Sequence, residues 1–326
     1  MLASKPQRVF ITGAGGYIGS RVTEFALRAG YIVHGLTRTP AKAARLRALG
    51  AIPIEGDMSQ LDLLRAEASK ADIVVHLADA WVDDFSQPYD NVVKIDGAAV
   101  DAMTFGLSQS PSQRRLFVGT SGVGVAKPDE NGGETDEDAP EDPNPINGRI
   151  RCEKHILSKA GEGIKVCIMR LPPFVYGRGG SGVKLFMEVF AKVGAVVRIG
   201  EGNVQMSVVH VDDAARAYVC ALEKACVEPG VTKKVYNVTD TSDVSFRKFT
   251  DAMAATLGLP VRAMEVPEAM EFAGPLVAGF FSGRIRGKGD RARAELGWIP
   301  TEVGIIEDIR NGSYVKVAKE ITATQA

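Results

Sequence analysis

The feature that most constrains this chain is a glycine-rich turn, Thr12-Gly13-Ala14-Gly15-Gly16-Tyr17-Ile18-Gly19, placed directly after the apolar run Arg8-Val9-Phe10-Ile11. The run is short and β-branched, the pattern of a buried strand. Tyr17 to Ala29 then has helical spacing, with Ile18, Val22, Phe25, Ala26 and Ala29 on one face. Glycines permit a tight turn and let backbone N–H groups close on a phosphate. The helix N-terminus adds free amide donors and the positive end of its dipole. A glycine triplet alone also suits a plain strand–helix turn. Here it sits between strand and helix at the start of a βαβ pattern, the context of dinucleotide binding. Thr12, Gly13, Gly16, Tyr17, Ile18 and Gly19 are therefore candidate cofactor-binding residues.

The next elements bear on which dinucleotide is held. Tyr31 to Thr37 reads as a second strand and ends at Arg38-Thr39-Pro40-Ala41-Lys42. An acidic residue about 20 positions past the glycines would hold a ribose 2′-hydroxyl, whereas an arginine accommodates a 2′-phosphate. Arg38 takes that place, with Lys42 a turn onward, so the expected cofactor is NADP(H). Ala51 to Glu55 is a third strand leading into Gly56-Asp57-Met58. Asp57 either receives the adenine amino group, with Met58 covering the ring, or caps a helix from Ser59 to Lys70. Asp72 to Ala78 is a fourth strand, in which His76 reads as a core histidine.

A polar loop from Asp79 to Tyr89, with Trp81, Asp83 and Asp84, precedes a long helix from about Asn91 to Gln109. Arg114 to Ser121 is the fifth strand, and the hydroxyls of Thr120 and Ser121 fall at its C-terminal end, the edge at which open parallel sheets bind ligands. The acidic stretch Gly122 to Pro145 reads as a surface loop whose carboxylates are mostly solvated. A helix follows Asn147, and Lys165 to Arg170 is a sixth strand. From Leu171 on, prolines and glycines break the alternation. The expected fold is α/β, a doubly wound parallel sheet of Rossmann type in residues 1–170. A smaller substrate lobe occupies 171–326, with about 205–240 returning to the main domain.

Charge and composition exclude other classes. The formal net charge is -1 over 326 residues, which leaves no basic footprint for nucleic acid or an anionic membrane. Cys152, Cys167, Cys220 and Cys226 have no metal-type spacing, so no metal is expected, and Cys167 and Cys220 read as buried free thiols. No stretch has the length and apolarity of a membrane span, and Met1-Leu2-Ala3-Ser4-Lys5 lacks the apolar core of a signal peptide. The expectation is a cytoplasmic protein acting on a small molecule.

Several ordered motifs make the chain similar to the extended short-chain dehydrogenase/reductase family, the epimerase, dehydratase and dihydroflavonol-reductase-like group. They are Thr12-Gly13-x-x-Gly16-x-x-Gly19, Gly56-Asp57-Met58, His76-Leu77-Ala78, Arg170-Leu171-Pro172-Pro173-Phe174-Val175-Tyr176-Gly177, His210-Val211-Asp212-Asp213-Ala214-Ala215-Arg216-Ala217 and Leu296-Gly297-Trp298-Ile299-Pro300. The resemblance covers nearly the whole chain. It implies that Leu77, Ala78, Pro172 and Phe174 also border the cofactor, and that the protein pairs as a homodimer through two long central helices. It further implies that Ser121, with Thr120 beside it, polarises the substrate oxygen.

The family also uses a tyrosine four residues before a lysine, and here the sequence departs. The matching stretch reads Asn147-Gly148-Arg149-Ile150-Arg151, and none of the seven tyrosines has a lysine four positions on. An asparagine amide donates a hydrogen bond but does not titrate usefully. Arg151 would bind ribose hydroxyls yet keeps its charge, unlike an ammonium of adjustable pKa. Asn147 and Arg151 stand as candidates for orienting the substrate and the cofactor, with a proton from water or from Asp79, Asp83 or Asp84. Cys152 and His155 share a helix without making a nucleophile. Arg178, Lys184 and Arg198 either bind a phosphorylated sugar or are scattered surface cations. Three readings remain open: an atypical NADPH-dependent reductase of a small or medium carbonyl or activated alkene; a non-redox isomerase, lyase or cyclase; and a non-catalytic NADP(H)-binding sensor.

Overall fold

The computed structural model of the chain describes residues 6–81, 84, 87–161 and 163–325; Asp83 and Met1 to Lys5, weighed above, lie outside them. Elements are numbered in chain order. β1 (Arg8–Thr12), β2 (Ile32–Thr37), β3 (Ile52–Glu55), β4 (Ile73–His76), β5 (Leu116–Gly122) and β6 (Lys165–Leu171) join the later β10 (Lys233–Asn237) in one sheet. Its order is β10-β6-β5-β4-β1-β2-β3, and each pair is parallel. Chain connections depart in opposite directions on either side of the β1–β4 pair. That reversal opens a crevice beyond the C-terminal ends of these strands.

Period-two alternation decides which side chains meet which helices. Val9, Ile11, Val75 and Val118 point to one face, where α1 (Tyr17–Arg28) contributes Val22 and Ala26, and α7 (Val211–Lys224) contributes Ala214 and Tyr218. Phe10, Val74 and Phe117 point to the other face. There they meet Leu64 of α3 (Leu61–Ala68), Val100 and Met103 of α4 (Tyr89–Ser108), and Ile156 of α5 (Arg149–Leu157). The remaining helix of this half, α2 (Pro40–Leu49), runs between β2 and β3 with Thr39 as its N-cap.

A second apolar core lies beyond the strand ends. It gathers Phe174 of β7 (Phe174–Tyr176), Phe186 of α6 (Ser181–Val193), Phe249 of α8 (Phe246–Leu257) and Phe281 of α10 (Pro275–Ser282). β9 (Gln205–His210) joins β7 to β11 (Thr241–Ser245), and β8 (Val196–Ile199) pairs with β12 (Val261–Met264). α9 (Val266–Ala273), α12 (Ile305–Asn311) and α13 (Ser313–Gln325) cover this core, while α11 (Asp290–Leu296) packs back against α7 and β10.

Two local readings change. α3 starts at Leu61, not Ser59, because the Asp57 carboxylate accepts from the Ser59 N–H and hydroxyl in a turn ahead of the helix. α4 starts at Tyr89, two residues early, which brings that phenol to the crevice. In the acidic loop Glu137 is the buried carboxylate among the described residues: it accepts the Asn237 N–H at 2.8 Å, and burial pushes its carboxyl pKa up. Among the cysteines, Cys152, Cys167 and Cys226 are buried and Cys220 is half-buried.

Candidate active site

The turn after β1 is packed as tightly as its composition suggests. Gly13 has φ +68°, and a Cβ there would stand 2.8 Å from the Ala78 nitrogen; a Cβ on Gly19 would strike the Gly13 carbonyl. Only glycine lets β1, α1 and the end of β4 approach so closely. α1 has no side-chain cap and no acidic residue in its first turn, so its leading amides remain open to an anion. Thr12 stands behind this surface. Its hydroxyl accepts from the Leu77 and Ala78 N–H groups at 3.2 Å and bonds His76 Nδ1 at 2.7 Å, while His76 Nε2 meets Asp96 at 3.2 Å. Thr12 is fully buried and holds the exit of β4 in place.

A cavity of about 860 Å³ opens along this edge, the size of a cofactor-plus-substrate cleft. It brings together Gly13, Gly16, Tyr17, Ile18, Gly19, Arg38, Lys42, Asp57, Met58, Leu77, Ala78, Thr120, Ser121, Asn147 and Pro172. At the end bordered by β2, Arg38 and Lys42 line the wall beside Thr37, whose buried hydroxyl has no hydrogen-bond partner among the described residues. Arg38, with the Ser59 hydrogen bonds first in effect, holds the Asp57 carboxyl below its ordinary pKa. The glycine cradle and the open amides fit the phosphates of a dinucleotide.

Three of the expected site residues do not line the cavity. Thr12 is beneath it. Phe174 lies in the centre of the second core, its ring centroid 4.8 Å from that of Phe249. Arg151 turns outward on α5 and pairs with Asp90 at 2.7 Å, both well exposed.

At the other end the hydroxyls separate. Thr120 is hydrogen-bonded to the buried Tyr218 phenol at 2.7 Å, whereas the Ser121 hydroxyl, also buried, has no partner among the described residues. Asn147 accepts the Arg149 N–H at 3.0 Å and so starts α5. That start aims Arg149, which the sequence patterns did not single out, into the cavity together with Tyr89, Asp79 and Trp81. The Arg149 side chain is 15% exposed and lies 3.6 Å from Asp79. Burial works against its charge, but Asp79, Tyr89 and Asp96 outweigh that and raise its pKa. Burial raises the Tyr89 pKa as well, partly offset by the Arg149 guanidinium, so the phenol keeps its proton at neutral pH. Cys152 behind them is no nucleophile: burial and Asp96 push its thiol up to about 12.

The cations that would have suited a phosphorylated sugar are paired away from the cavity. Arg178 bonds Asp212, Arg198 bonds Asp251 at 2.8 Å, and Lys184 faces Glu188 at 3.8 Å. His210, Asp212 and Glu302 bring ligand atoms within 4.8 Å of one another, but Asp212 is taken up by Arg21 and Arg178, and Glu302 by Arg216.

Residues 9–239 match the NAD dependent epimerase/dehydratase family. The chain belongs to that family. It is 30% identical over 308 residues to an uncharacterized protein of Schizosaccharomyces pombe, covering 94% of this chain and 99% of the relative. It is 26% identical over 288 residues to 2-alkyl-3-oxoalkanoate reductase of Shewanella oneidensis, covering 83% of this chain and 72% of that one. Its fold resembles UDP-glucuronic acid 4-epimerase of Bacillus cereus, solved with UDP-glucuronic acid and NAD. The TM-score there is 0.73 at 19% identity, covering 96% of this chain and 99% of that chain. The chain is thus an NAD(P)-dependent enzyme with a Rossmann-type fold, and its homologues support a reductase-type function.

Proposed function

We propose that this enzyme is an NADPH-dependent reductase of a small or medium carbonyl or activated-alkene substrate. The observation that carries the reading is the buried, partnerless Ser121 hydroxyl opening into the same cavity as the glycine turn. A donor held ready where charge develops stabilises an oxyanion without reorganising. The bound reduced nicotinamide supplies the hydride. The protein holds the phosphates at the amides of α1, receives the substrate oxygen at Ser121 and excludes water with the apolar wall of Trp81, Ile146, Phe280 and Ile285. Of the two tyrosines lining the cavity among the described residues, Tyr17 donates to the Gly177 carbonyl. Tyr89 is then the phenol placed to give up the proton that neutralises the reduced oxygen.

Preference for NADPH is read from Arg38, Lys42 and Thr37 at the β2 end. The experiment is transfer of deuterium from C4-labelled NADPH to a panel of ketones and enones. Label in the product is expected, and no label with any member of the panel overturns the reading. Tyr89→Phe is expected to lower turnover about a hundredfold with NADPH affinity unchanged. Full activity in that variant removes Tyr89 from the reaction.

A further inference from the structure

Two buried donors, the Ser121 hydroxyl and Arg149 Nη1, lack a hydrogen-bond partner among the described residues and line one cavity. We propose that they jointly receive a single oxygen of an uncharged, largely apolar carbonyl compound, and that the site does not take nucleotide sugars or carboxylates. This rests on the reductase reading for the identity of the reacting group, and on the cavity alone for its charge and polarity.

The charge argument comes from what surrounds Arg149. Two carboxylates already face its guanidinium, Asp79 at 3.6 Å and the buried Asp96, whose other neighbour is His76. An anionic substrate would add a third negative charge to one positive charge in a poorly solvated space, where desolvation costs most. A neutral carbonyl oxygen takes the idle N–H without that penalty. The other cations lining the cavity, Arg38 and Lys42, belong to the β2 end. The loop from Asp79 to Asp90 contains no lysine or arginine at all. A pyrophosphate outside the cofactor site would therefore meet no free positive charge, while Trp81, Ile146, Phe280 and Ile285 offer apolar surface. Beside the two donors the lining carries Asp79, Gln87, Tyr89 and Asn147, none of them a cation, while the four apolar side chains face the rest of the substrate.

The test measures binding. Dissociation constants are determined by calorimetry for 4-alkylacetophenones from methyl to butyl, for 4-acetylbenzoate and for UDP-glucose, on NADP⁺-saturated and cofactor-free protein. Ketone affinity is expected to rise by about fourfold or less for each methylene added. The carboxylate and UDP-glucose should bind more weakly than 4-methylacetophenone. Arg149→Met and Ser121→Ala should each weaken ketone binding about tenfold or more while NADPH affinity, which reports folding, is kept. Where the methionine variant does not fold, Arg149→Lys keeps the charge, loses the planar fork and should show the same direction of change. Tighter binding of UDP-glucose or 4-acetylbenzoate than of the ketones overturns the proposal. So does unchanged ketone affinity in the Arg149 variant, or no ketone binding at all. Ketone binding without deuterium transfer would reject the reductase reading and leave the donor pair standing. Deuterium transfer with unaltered ketone affinity in the Arg149 variant would do the reverse.

Discussion

At the scale of single residues, the proposed preference for NADPH turns on Arg38, which lines the cavity at the end of β2. Replacing it by glutamate should weaken NADPH far more than NADH, because a carboxylate repels the 2′-phosphate and still accepts from a 2′-hydroxyl. Titration of each nucleotide by its fluorescence checks this, and equal losses would refute the assignment. Residues of this kind are legible in the sequence because their roles follow from local order: a turn, a strand end, a charge at a set distance. Arg149 and Tyr89 were not legible in that way. Arg149 lies two residues from Arg151, and a helix turns about 100° per residue, so only the exact start of α5 decides which arginine faces inward. Tyr89 reaches the cavity because α4 begins two residues earlier than its apolar spacing suggests.

At the scale of elements, α5 carries both buried and surface ion pairs. Glu153 is buried and grips Arg170 of β6 through three contacts, the shortest 2.6 Å. Arg151 meets Asp90 at the surface. Glu153→Ala should destabilise the protein by about 3–5 kcal/mol, since Arg170 is left buried and unpaired. Arg151→Ala should cost under about 1 kcal/mol. Urea denaturation of the two variants makes the comparison, and an equal cost would contradict the burial of Glu153. The strands of the main sheet were the most readable elements, because each is a short apolar run bounded by turn residues. Glu137 of the acidic loop was not singled out, since a carboxylate that reaches back to β10 carries no sign of it in a stretch dominated by charge, proline and glycine.

At the scale of the whole molecule, the two cores are fastened by the His210-Val211-Asp212-Asp213 segment. Asp212 binds Arg21 of α1 at 2.6 Å and Arg178 after β7. Asp213 accepts the Thr301 and Glu302 N–H groups at 2.8 and 3.0 Å, and its carbonyl takes the Trp298 indole N–H at 2.8 Å. Burial opposes the Asp212 charge, but the hydrogen bonds from Arg178 and Arg21 outweigh it and hold the carboxyl below its ordinary range. A folded-state pKa lower than the unfolded one contributes stability that is complete above the unfolded value, about 3.9 for aspartate, and is lost as pH falls through the folded value. Stability should therefore fall off below about pH 4. Asp212→Asn should lower the plateau and make that acid limb shallower, as followed by urea midpoints across pH 3 to 7; an unchanged limb would discount this carboxylate. The motif was visible in the sequence as a resemblance, but its structural task became plain only from its partners.

Tyr17 opens the phosphate-binding helix, and its phenol donates to the Gly177 carbonyl at 2.8 Å while its ring lies against Gly180, at the head of α6. The first turn of α1 is thereby latched to the loop that leads into the aromatic core. A coupling carried by this latch would act on both ligands by the same factor, as thermodynamic reciprocity requires. NADPH should then tighten the binding of 4-butylacetophenone, and the ketone should tighten NADPH to the same extent. In Tyr17→Phe that common factor should shrink toward one, as read by calorimetry with each ligand alone and with both; an unchanged factor would discount the latch.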